Sequence, residues 1–562
     1  MAKVAKRASR NATSRNRYGR ASGARKAFAL RAIRAPVNGM GLRALAVGMV
    51  ASLLLACGKR AESTTRADAG ILRDPARANA LASVRSADEI ANEDLGHADV
   101  AVRRAAVRAL SRLEDPGAVP KLLSALSDED AEVVAFVAHG LGWACEAHPS
   151  QATRITKALV ARAISLAGRS SSPFDPAYAI SHALSRCATK QAEPTLAAFL
   201  ERPAPWPQGA ALALGLFASQ RGTLSKATQT ALLDAAETQS LDEALFALGR
   251  IEVAKELRPR LVEVARSHLE KEGPGRLFAL RALGRAGAEG ARVLAELVKE
   301  DLAPAEQAEI VRALVRLGAE GQRALRDFVK AALPGDEVEQ LGTALFGPLL
   351  VAVEGLGTTW GRETLQAVAR KRVPAEATPA LARRLDLLRC AAAKRIAGSS
   401  DPLLEGCDAP RVAQGATQPA AATVPGDAAS PQGPVKLRFE TDAGAMTLTL
   451  DPTLAPQSVA RIVDLAKGGY FDGTPVAHAI PGFFVRLGGA KEGVTRPEPP
   501  PRETAPVPFD AFTVGLAHEG DEIFVTLARL PELDGHYAWL GKADAAFAAL
   551  APGDVVQRVV VE

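Results

Sequence analysis

Two cations and a cluster of aromatic residues occur close together near the carboxyl end of this 562-residue chain. The stretch FDGTPVAHAIPGF, residues 471–483, contains His478, and Arg486 follows three residues after its end. Phe483 and Phe484 lie between the two cations in sequence. A positioned donor beside an apolar surface can stabilise charge that develops on a ligand held away from water. Together these residue types would suit an apolar cup with a cationic hydrogen-bond donor at its side.

The residues before this cup predict two strands and a helix that would position it. Apolar and polar residues alternate over 435–441 and 444–450, which is typical of half-buried strands, and residues 442–444 supply a hairpin turn. A helix is predicted to begin at Ala455 and Pro456 and to end at the Gly-Gly pair at 468–469.

Four segments then follow one another in a fixed order: GYFDGT at 469–474, IPGF at 480–483, GDEIFVTL at 520–527 and LPELDGHYAWLGK at 530–542. This order resembles the cyclophilin-type peptidyl-prolyl isomerases over residues 435–562. The resemblance implies a small, cyclophilin-like closed β-barrel with capping helices. It also implies isomerisation of prolyl peptide bonds with no cofactor, since that reaction forms no new bond.

The resemblance assigns the apolar cup to particular positions. Phe483 and Phe484 fall on its apolar positions, Phe524 on its aromatic floor and Leu533 on its wall. Tyr537 falls where the family usually has a histidine. The alternative is that these residues are merely core residues of a small barrel.

The polar side of the cup departs from the family pattern. His478 occupies the position of the family's catalytic arginine, and Arg486 that of a glutamine. Glu522 replaces the glutamine that usually precedes the floor phenylalanine.

Two hypotheses follow from this altered polar side. Rotation about a prolyl bond has a barrier of roughly 18–20 kcal/mol, because the nitrogen shares its lone pair with the carbonyl. In the first hypothesis, Arg486 replaces the missing cation or a protonated His478 donates, which gives a weakened and pH-dependent isomerase. In the second, catalysis is lost, and the domain only binds proline-containing segments as part of a non-catalytic scaffold or assembly lipoprotein.

The middle of the chain contains a helical repeat. Leu95, Asp99, Val102 and Leu110 each recur as the same residue type 31 residues later. An Ala-Leu-small-Arg ending then recurs at 183–186, 247–250, 282–285 and 313–316. A period of about 30 to 40 residues is typical of a solenoid built from helix pairs. The pattern resembles HEAT repeats, so the chain is predicted to be multidomain, with an all-α HEAT-like solenoid before the barrel.

These patterns predict the domain order. An N-terminal tether covers 57–90, the HEAT-like α-solenoid 91–403, an Ala/Pro-rich linker 404–434 and the cyclophilin-like domain 435–562. Stacked helix pairs are expected to offer a concave face to a protein partner. Arg103, Arg104 and Arg108 line that face in one interpretation and form a solvated helix face in the other.

The first 56 residues form a basic leader. They hold twelve Lys or Arg and no acid, so the remainder has 57 basic (69 − 12) and 63 acidic residues. The net charge of +6 therefore belongs to the leader, and no nucleic-acid partner is expected.

The end of the leader, Leu54-Leu55-Ala56-Cys57 after an uncharged run, resembles a bacterial lipobox. The resemblance implies a lipoprotein signal peptide, lipid attachment at Cys57 and a membrane anchor. It places the protein in the cell envelope, at the outer membrane facing the periplasm, with exported proteins that contain prolyl bonds as its clients. Translation is expected to begin at Met40, and an unusually long leader is the alternative.

Four more cysteines provide two candidate disulfides. Cys390 with Cys407 would close a short loop, and Cys145 with Cys187 would link neighbouring helix pairs. Disulfides persist in the compartments that exported proteins reach. No His/Cys cluster has the spacing of metal ligands, so no metal site is predicted.

Overall fold

The computed structural model describes residues 74–407 and 431–562, except 82–83, 85, 114, 167–173, 272, 274, 301, 399–400, 477, 481, 490–499 and 501. The predicted leader with Cys57, part of the predicted tether and residues 408–430 of the predicted linker lie outside the described residues. Within the described part, no helix combines the length and the apolar character needed to span a bilayer.

Nineteen α-helices precede the C-terminal domain in the described residues. In chain order they are α1 (Pro75–Leu81), α2 (Asn92–Leu95), α3 (Val100–Leu113), α4 (Ala118–Ala125), α5 (Ala131–Ala147), α6 (Ala152–Ser165), α7 (Pro176–Cys187), α8 (Ala192–Phe199), α9 (Trp206–Arg221), α10 (Lys226–Thr238), α11 (Asp242–Leu248), α12 (Arg258–Leu269), α13 (Gly275–Leu283), α14 (Gly287–Leu297), α15 (Pro304–Arg316), α16 (Ala319–Ala332), α17 (Thr343–Gly355), α18 (Thr358–Ala369) and α19 (Pro379–Ile396).

The helices stack as a two-layered solenoid. Odd-numbered helices from α3 to α19 pack against one another in succession, and we call this set the inner layer. Even-numbered helices pack against the inner layer and form the second layer. This arrangement confirms the predicted all-α solenoid.

The 31-residue repeat places matching residues before the first turn and in the core of α3 and α5. Asp99 and Asp130 stand just before α3 and α5, and their carboxylates accept from the backbone N–H groups of residues 101 and 133, at 2.9 and 3.0 Å. Such side chains satisfy N–H groups that have no partner within the helix. Val102 and Val133, three residues further on, are fully buried.

Arg103, Arg104 and Arg108 connect α3 to the following repeat. Each pairs with a carboxylate of residues 128–132, at 2.8 Å for Arg103 and 2.7 Å for Arg104. The sequence allowed either a partner-binding face or a solvated face for these arginines. In the structure their charges are paired with the following repeat, while the side chains of Arg104 and Arg108 remain about a third exposed.

Two disulfides lie in the solenoid. Cys145 on α5 bonds to Cys187 on α7, with an S–S distance of 2.01 Å. Cys390 on α19 bonds to Cys407 beyond the end of that helix, with an S–S distance of 2.15 Å. These are the two pairings that the sequence offered.

The described residues of the C-terminal domain form a nine-stranded antiparallel sheet and one α-helix, α20 (Pro456–Lys467). The strands run in the order β3-β9-β1-β2-β8-β6-β7-β5-β4. Their bounds are β1 (Val435–Thr441), β2 (Gly444–Leu450), β3 (Thr474–Pro475), β4 (His478–Ile480), β5 (Phe484–Gly488), β6 (Thr513–Leu516), β7 (Glu522–Thr526), β8 (Ala538–Ala543) and β9 (Val555–Val561).

This sheet curls on itself but differs from the predicted closed barrel. Its two edge strands, β3 and β4, are separated by only two residues, so the ends of the sheet must lie near each other. No ladder joins β3 to β4 among the described residues. Because β3 is two residues long and Pro475 has no N–H to donate, it cannot continue the hydrogen-bonded ladder.

The interior of the curled sheet has its own apolar core. The rings of Phe471 and Phe547 lie 6.0 and 5.9 Å from that of Phe439, and all three are fully buried. Val459 and Ile462 on α20 join the same core. The sheet therefore has a filled interior, and a ligand site must lie on its outer face.

Candidate active site

One outer face of the sheet carries the cations of the predicted site. In the strand register, His478 on β4 lies opposite Arg486 on β5, and Arg486 lies opposite Phe524 on β7. Directly paired residues project to the same side of a sheet. The alternate residues Val485 and Leu487 point into the interior core. Register thus places the two cations and the floor phenylalanine on one face.

Aromatic rings form a continuous surface on this face. The Phe484 ring lies 5.3 Å from that of Phe483 and 6.5 Å from that of Phe524. Tyr537 packs edge-on against Phe524 at 5.0 Å. Phe524 is 5% exposed, whereas Phe483 and Phe484 are half-buried. None of these four residues belongs to the interior core, and the exposed area of this surface comes from Phe483, Phe484 and Tyr537 rather than from Phe524.

A glycine makes room for the floor ring. Gly515 on β6 lies opposite Phe524, and a Cβ at this position would come within 2.2 Å of the ring. Phe509 stacks on Phe524 at 5.7 Å. The floor ring is therefore held between fixed neighbours.

The Arg486 guanidinium stands at the edge of the aromatic surface. It forms an ion pair with Glu522, which lies two residues before Phe524 on the same strand. About a third of the Arg486 side chain remains exposed, and His478 beside it is exposed. The structure thus brings Arg486, Glu522 and the aromatic floor together, with His478 on the outermost strand.

The wall residue Leu533 adjoins a buried polar cluster that sequence reasoning missed. Asp534 is 1% exposed and accepts from the backbone N–H of Phe509 and from the Arg529 guanidinium, both at 2.7 Å. The Tyr178 hydroxyl, on α7 of the solenoid, donates to the same carboxylate. The only signal in the sequence is the aspartate of the Leu-Asp-Gly segment, and nothing there points to Tyr178.

The C-terminal domain docks on the inner layer at several places. Arg186 on α7 donates to the carbonyl of Gly535 at 3.1 Å, and Arg383 on α19 donates to Asp442 at 2.7 Å. Between them, Gly482 lies so close to α15 that a Cβ would come 2.8 Å from the helix backbone. The layer that was expected to face a protein partner thus contacts the chain's own last domain.

Three histidines lie within this interface. His139 shares a 2.9 Å hydrogen bond with Thr504, and the His536 ring packs against Trp143 on α5. Burial, with repulsion from Arg186 and neighbouring cations, lowers the pKa of His139 and His182 well below 6.5. The same causes lower the pKa of His536 to about 3. All three are therefore neutral in the docked domain at neutral pH.

Comparisons with known proteins agree with both sequence resemblances. Residues 436–552 match a family model described as cyclophilin type peptidyl-prolyl cis-trans isomerase/CLD. Residues 90–163 match a model described as HEAT repeats.

Similar proteins were found for the C-terminal region. A peptidyl-prolyl cis-trans isomerase of Helicobacter pylori (strain J99) is 32% identical over 137 residues, which are 22% of this chain and 84% of that protein. One of Synechococcus elongatus is 31% identical over 114 residues, 19% of this chain and 78% of that protein. A crystal structure of a cyclophilin-type isomerase from Cryptosporidium parvum covers 23% of this chain and 98% of its own, at 18% identity and a TM-score of 0.19.

Proposed function

The chain belongs to the cyclophilin-type peptidyl-prolyl cis-trans isomerases through its C-terminal domain, and we propose that Arg486 supplies the hydrogen bond that its reaction requires. The observation that carries this proposal is the strand register, which sets Arg486 directly beside Phe524 on the aromatic face. His478, at the position of the family's catalytic arginine, lies one strand further from that floor.

The chemistry follows from this geometry. A proline ring seated on Phe484 and Phe524 leaves the prolyl nitrogen near the Arg486 guanidinium. As the peptide bond twists, the nitrogen lone pair localises and becomes a hydrogen-bond acceptor, which it is not in the planar ground state. A donor that engages only this twisted state lowers the barrier without tightening ground-state binding. No bond forms or breaks, and the protein exchanges no proton with the substrate.

Glu522 has two opposing effects on this donor. Its ion pair holds the flexible Arg486 side chain beside the floor, which reduces the entropy lost when the donor engages. It also occupies part of the guanidinium, although arginine offers five N–H donors. We expect a slower enzyme than one with an unpaired arginine.

Prolyl exchange measured by NMR tests this assignment on the full chain. Replacing one transition-state donor costs about 100-fold or more in rate, so Arg486→Ala should lower kcat/KM by about that factor. Arg438→Ala, an exposed arginine on β1 away from the face, is the matched control and should leave kcat/KM unchanged.

A gain-of-function variant complements that loss. His478→Arg adds a guanidinium on the same face and should raise kcat/KM by up to the roughly 100-fold that one transition-state donor contributes. If the wild-type chain binds the proline peptide but does not accelerate exchange, the domain is a non-catalytic binding module and the assignment of Arg486 is wrong.

The cellular setting is a further part of the proposal. The basic leader and the lipobox-like residues before Cys57 support a lipid-anchored protein of the cell envelope, at the outer membrane and facing the periplasm. Exported proteins with prolyl bonds would then be its clients, and the HEAT repeats support binding to further protein partners. Mass spectrometry of the purified protein should find lipid on Cys57. A Cys57→Ser variant that stays in the membrane fraction would contradict the anchor.

A further inference from the structure

A cavity of about 420 Å³ lies between the aromatic face and the inner layer of the solenoid. Phe483 and Ile480 line it from the C-terminal domain, so it adjoins the apolar cup. The solenoid side of the cavity is lined by five arginines: Arg250, Arg281, Arg285, Arg312 and Arg316. A peptide that enters the cup past Phe483 must therefore pass these cations.

The sequence repeat builds this row of arginines. The Ala-Leu-small-Arg endings occur in successive inner-layer repeats, at 247–250, 282–285 and 313–316. Their arginines lie at or just after the carboxyl ends of inner-layer helices: Arg250 follows α11, Arg285 follows α13 and Arg316 ends α15. Equivalent positions of a solenoid lie along one line of its surface. The row therefore runs along the side of the solenoid that faces the C-terminal domain.

The positive charge in the cavity exceeds what its own acids neutralise. Glu309 is 2% exposed and pairs with Arg281 at 3.3 Å, Arg312 at 3.2 Å and Arg316 at 2.8 Å, and attraction to these cations holds its pKa at about 2 despite its burial. Glu532 lies 3.7 Å from Arg250. The lining itself holds five arginines and two glutamates, an excess of three positive charges.

Arg285 is the cation best placed to bind a ligand. Its Nε donates to the carbonyl of Gly249 at 3.2 Å, and within the described residues no carboxylate lies within ion-pair distance of it. Burial lowers its pKa, repulsion from Arg316 and Arg250 adds to this effect, and attraction to Glu252 opposes it. An incoming carboxylate would relieve that repulsion.

We propose that this cavity binds an acidic segment of the client chain, with Asp or Glu side chains close to the proline that enters the cup. The proposal rests on the proposed function for the seat of that proline. The Phe484 ring centre lies 6.5 Å from that of Phe524 and 5.3 Å from that of Phe483, so the Phe524 and Phe483 rings are at most about 12 Å apart. About four extended residues span that distance. Carboxylates within about four residues of the proline therefore reach the cavity where Phe483 lines it.

Fluorescence anisotropy with two labelled peptides tests the proposal on the full chain. Both peptides carry one Ala-Pro core, flanked on each side by two Glu residues in one and by two Gln residues in the other. The Glu peptide should bind about tenfold more tightly, which is about 1.4 kcal/mol, in about 50 mM salt. Raising the salt to about 0.5 M should remove most of that difference, because the screening length becomes short.

Variants of Arg285 locate the effect. Arg285→Gln should abolish most of the preference for the Glu peptide, and Arg285→Lys, which keeps the charge, should retain it. The control is Arg326→Gln, since Arg326 lies on α16 in the second layer and pairs with its neighbour Asp327 at 3.1 Å. Equal affinity for the two peptides, or equal preference in Arg285→Gln and Arg326→Gln, would overturn the proposal.

NMR exchange on the Gln peptide separates this proposal from the isomerase assignment. If the Gln peptide is turned over but the Glu peptide gains nothing in affinity, the acidic site is wrong and the isomerase assignment stands. If the Glu peptide binds through Arg285 without any exchange, the acidic site stands and the isomerase assignment is wrong.

Discussion

The hydrogen bond from Tyr178 to Asp534 should hold the isomerase domain on the solenoid. Tyr178 lies on α7, and Asp534 follows Leu533, the predicted wall residue of the cup. A Tyr178→Phe variant removes only the hydroxyl, because the ring can still stack on His182 at 4.9 Å. The perturbation is therefore confined to the contacts of that hydroxyl, which donates to Asp534 and accepts at 3.4 Å from the Arg529 guanidinium.

The size of the effect follows from what Asp534 retains. A hydrogen bond to a charged group contributes about 1.5–3 kcal/mol. Asp534 keeps the backbone N–H of Phe509 and the Arg529 guanidinium, so it stays paired and the loss should be near the lower figure. A loss of about 1.5 kcal/mol corresponds to a roughly tenfold smaller ratio of docked to undocked molecules.

Hydrogen–deuterium exchange with mass spectrometry measures that ratio. Amides of α7 and of residues 529–537 should exchange about tenfold faster in Tyr178→Phe. Tyr470→Phe is the matched control, because the Tyr470 hydroxyl donates to Gly489 and Asp521, both inside the C-terminal domain, at 2.8 Å. It should speed exchange in the sheet but not in α7. Unchanged exchange of α7 in Tyr178→Phe, or a uniform rise along the whole chain, would refute the role given to this contact.

Three further predictions concern other parts of the molecule. A free histidine has a pKa near 6.5, whereas docking lowers the pKa of His536 to about 3. Docking should therefore be complete above pH 6.5 and weaken as the pH falls below it, because the undocked histidines bind protons first. Small-angle scattering should then give a larger radius of gyration at about pH 5 than at pH 7.5. Gly515→Val should displace the Phe524 ring, reduce the free energy of unfolding by about 1–3 kcal/mol and lower kcat/KM. Gly433 has open space around it, so Gly433→Val should change neither the free energy of unfolding nor kcat/KM. Loss of the Cys145–Cys187 disulfide in the double serine variant opens a loop of 42 residues and should lower the free energy of unfolding by about 4 kcal/mol, measured by denaturant titration.

The sequence alone determined the elements and the family. Period-two alternation predicted β1 and β2, and the Gly-Gly pair predicted the end of α20. The 31-residue repeat, with an aspartate before α3 and another before α5, predicted the first helix pairs. These features depend on neighbours within a few residues, which is why pattern and propensity reveal them. The position of Phe524 was also available from the sequence, through the order of the family segments.

Only the tertiary structure decided how the side chains meet. The pairing of Arg486 with Glu522 depends on the register between β5 and β7, and the contact of Tyr178 with Asp534 joins residues 356 apart. The repeated Ala-Leu-small-Arg endings were visible in the sequence, but the sequence did not show that their arginines line a cavity beside the cup. Contacts between distant segments are set by strand register and helix stacking, and these depend on the sum of many packing interactions, which no local pattern records.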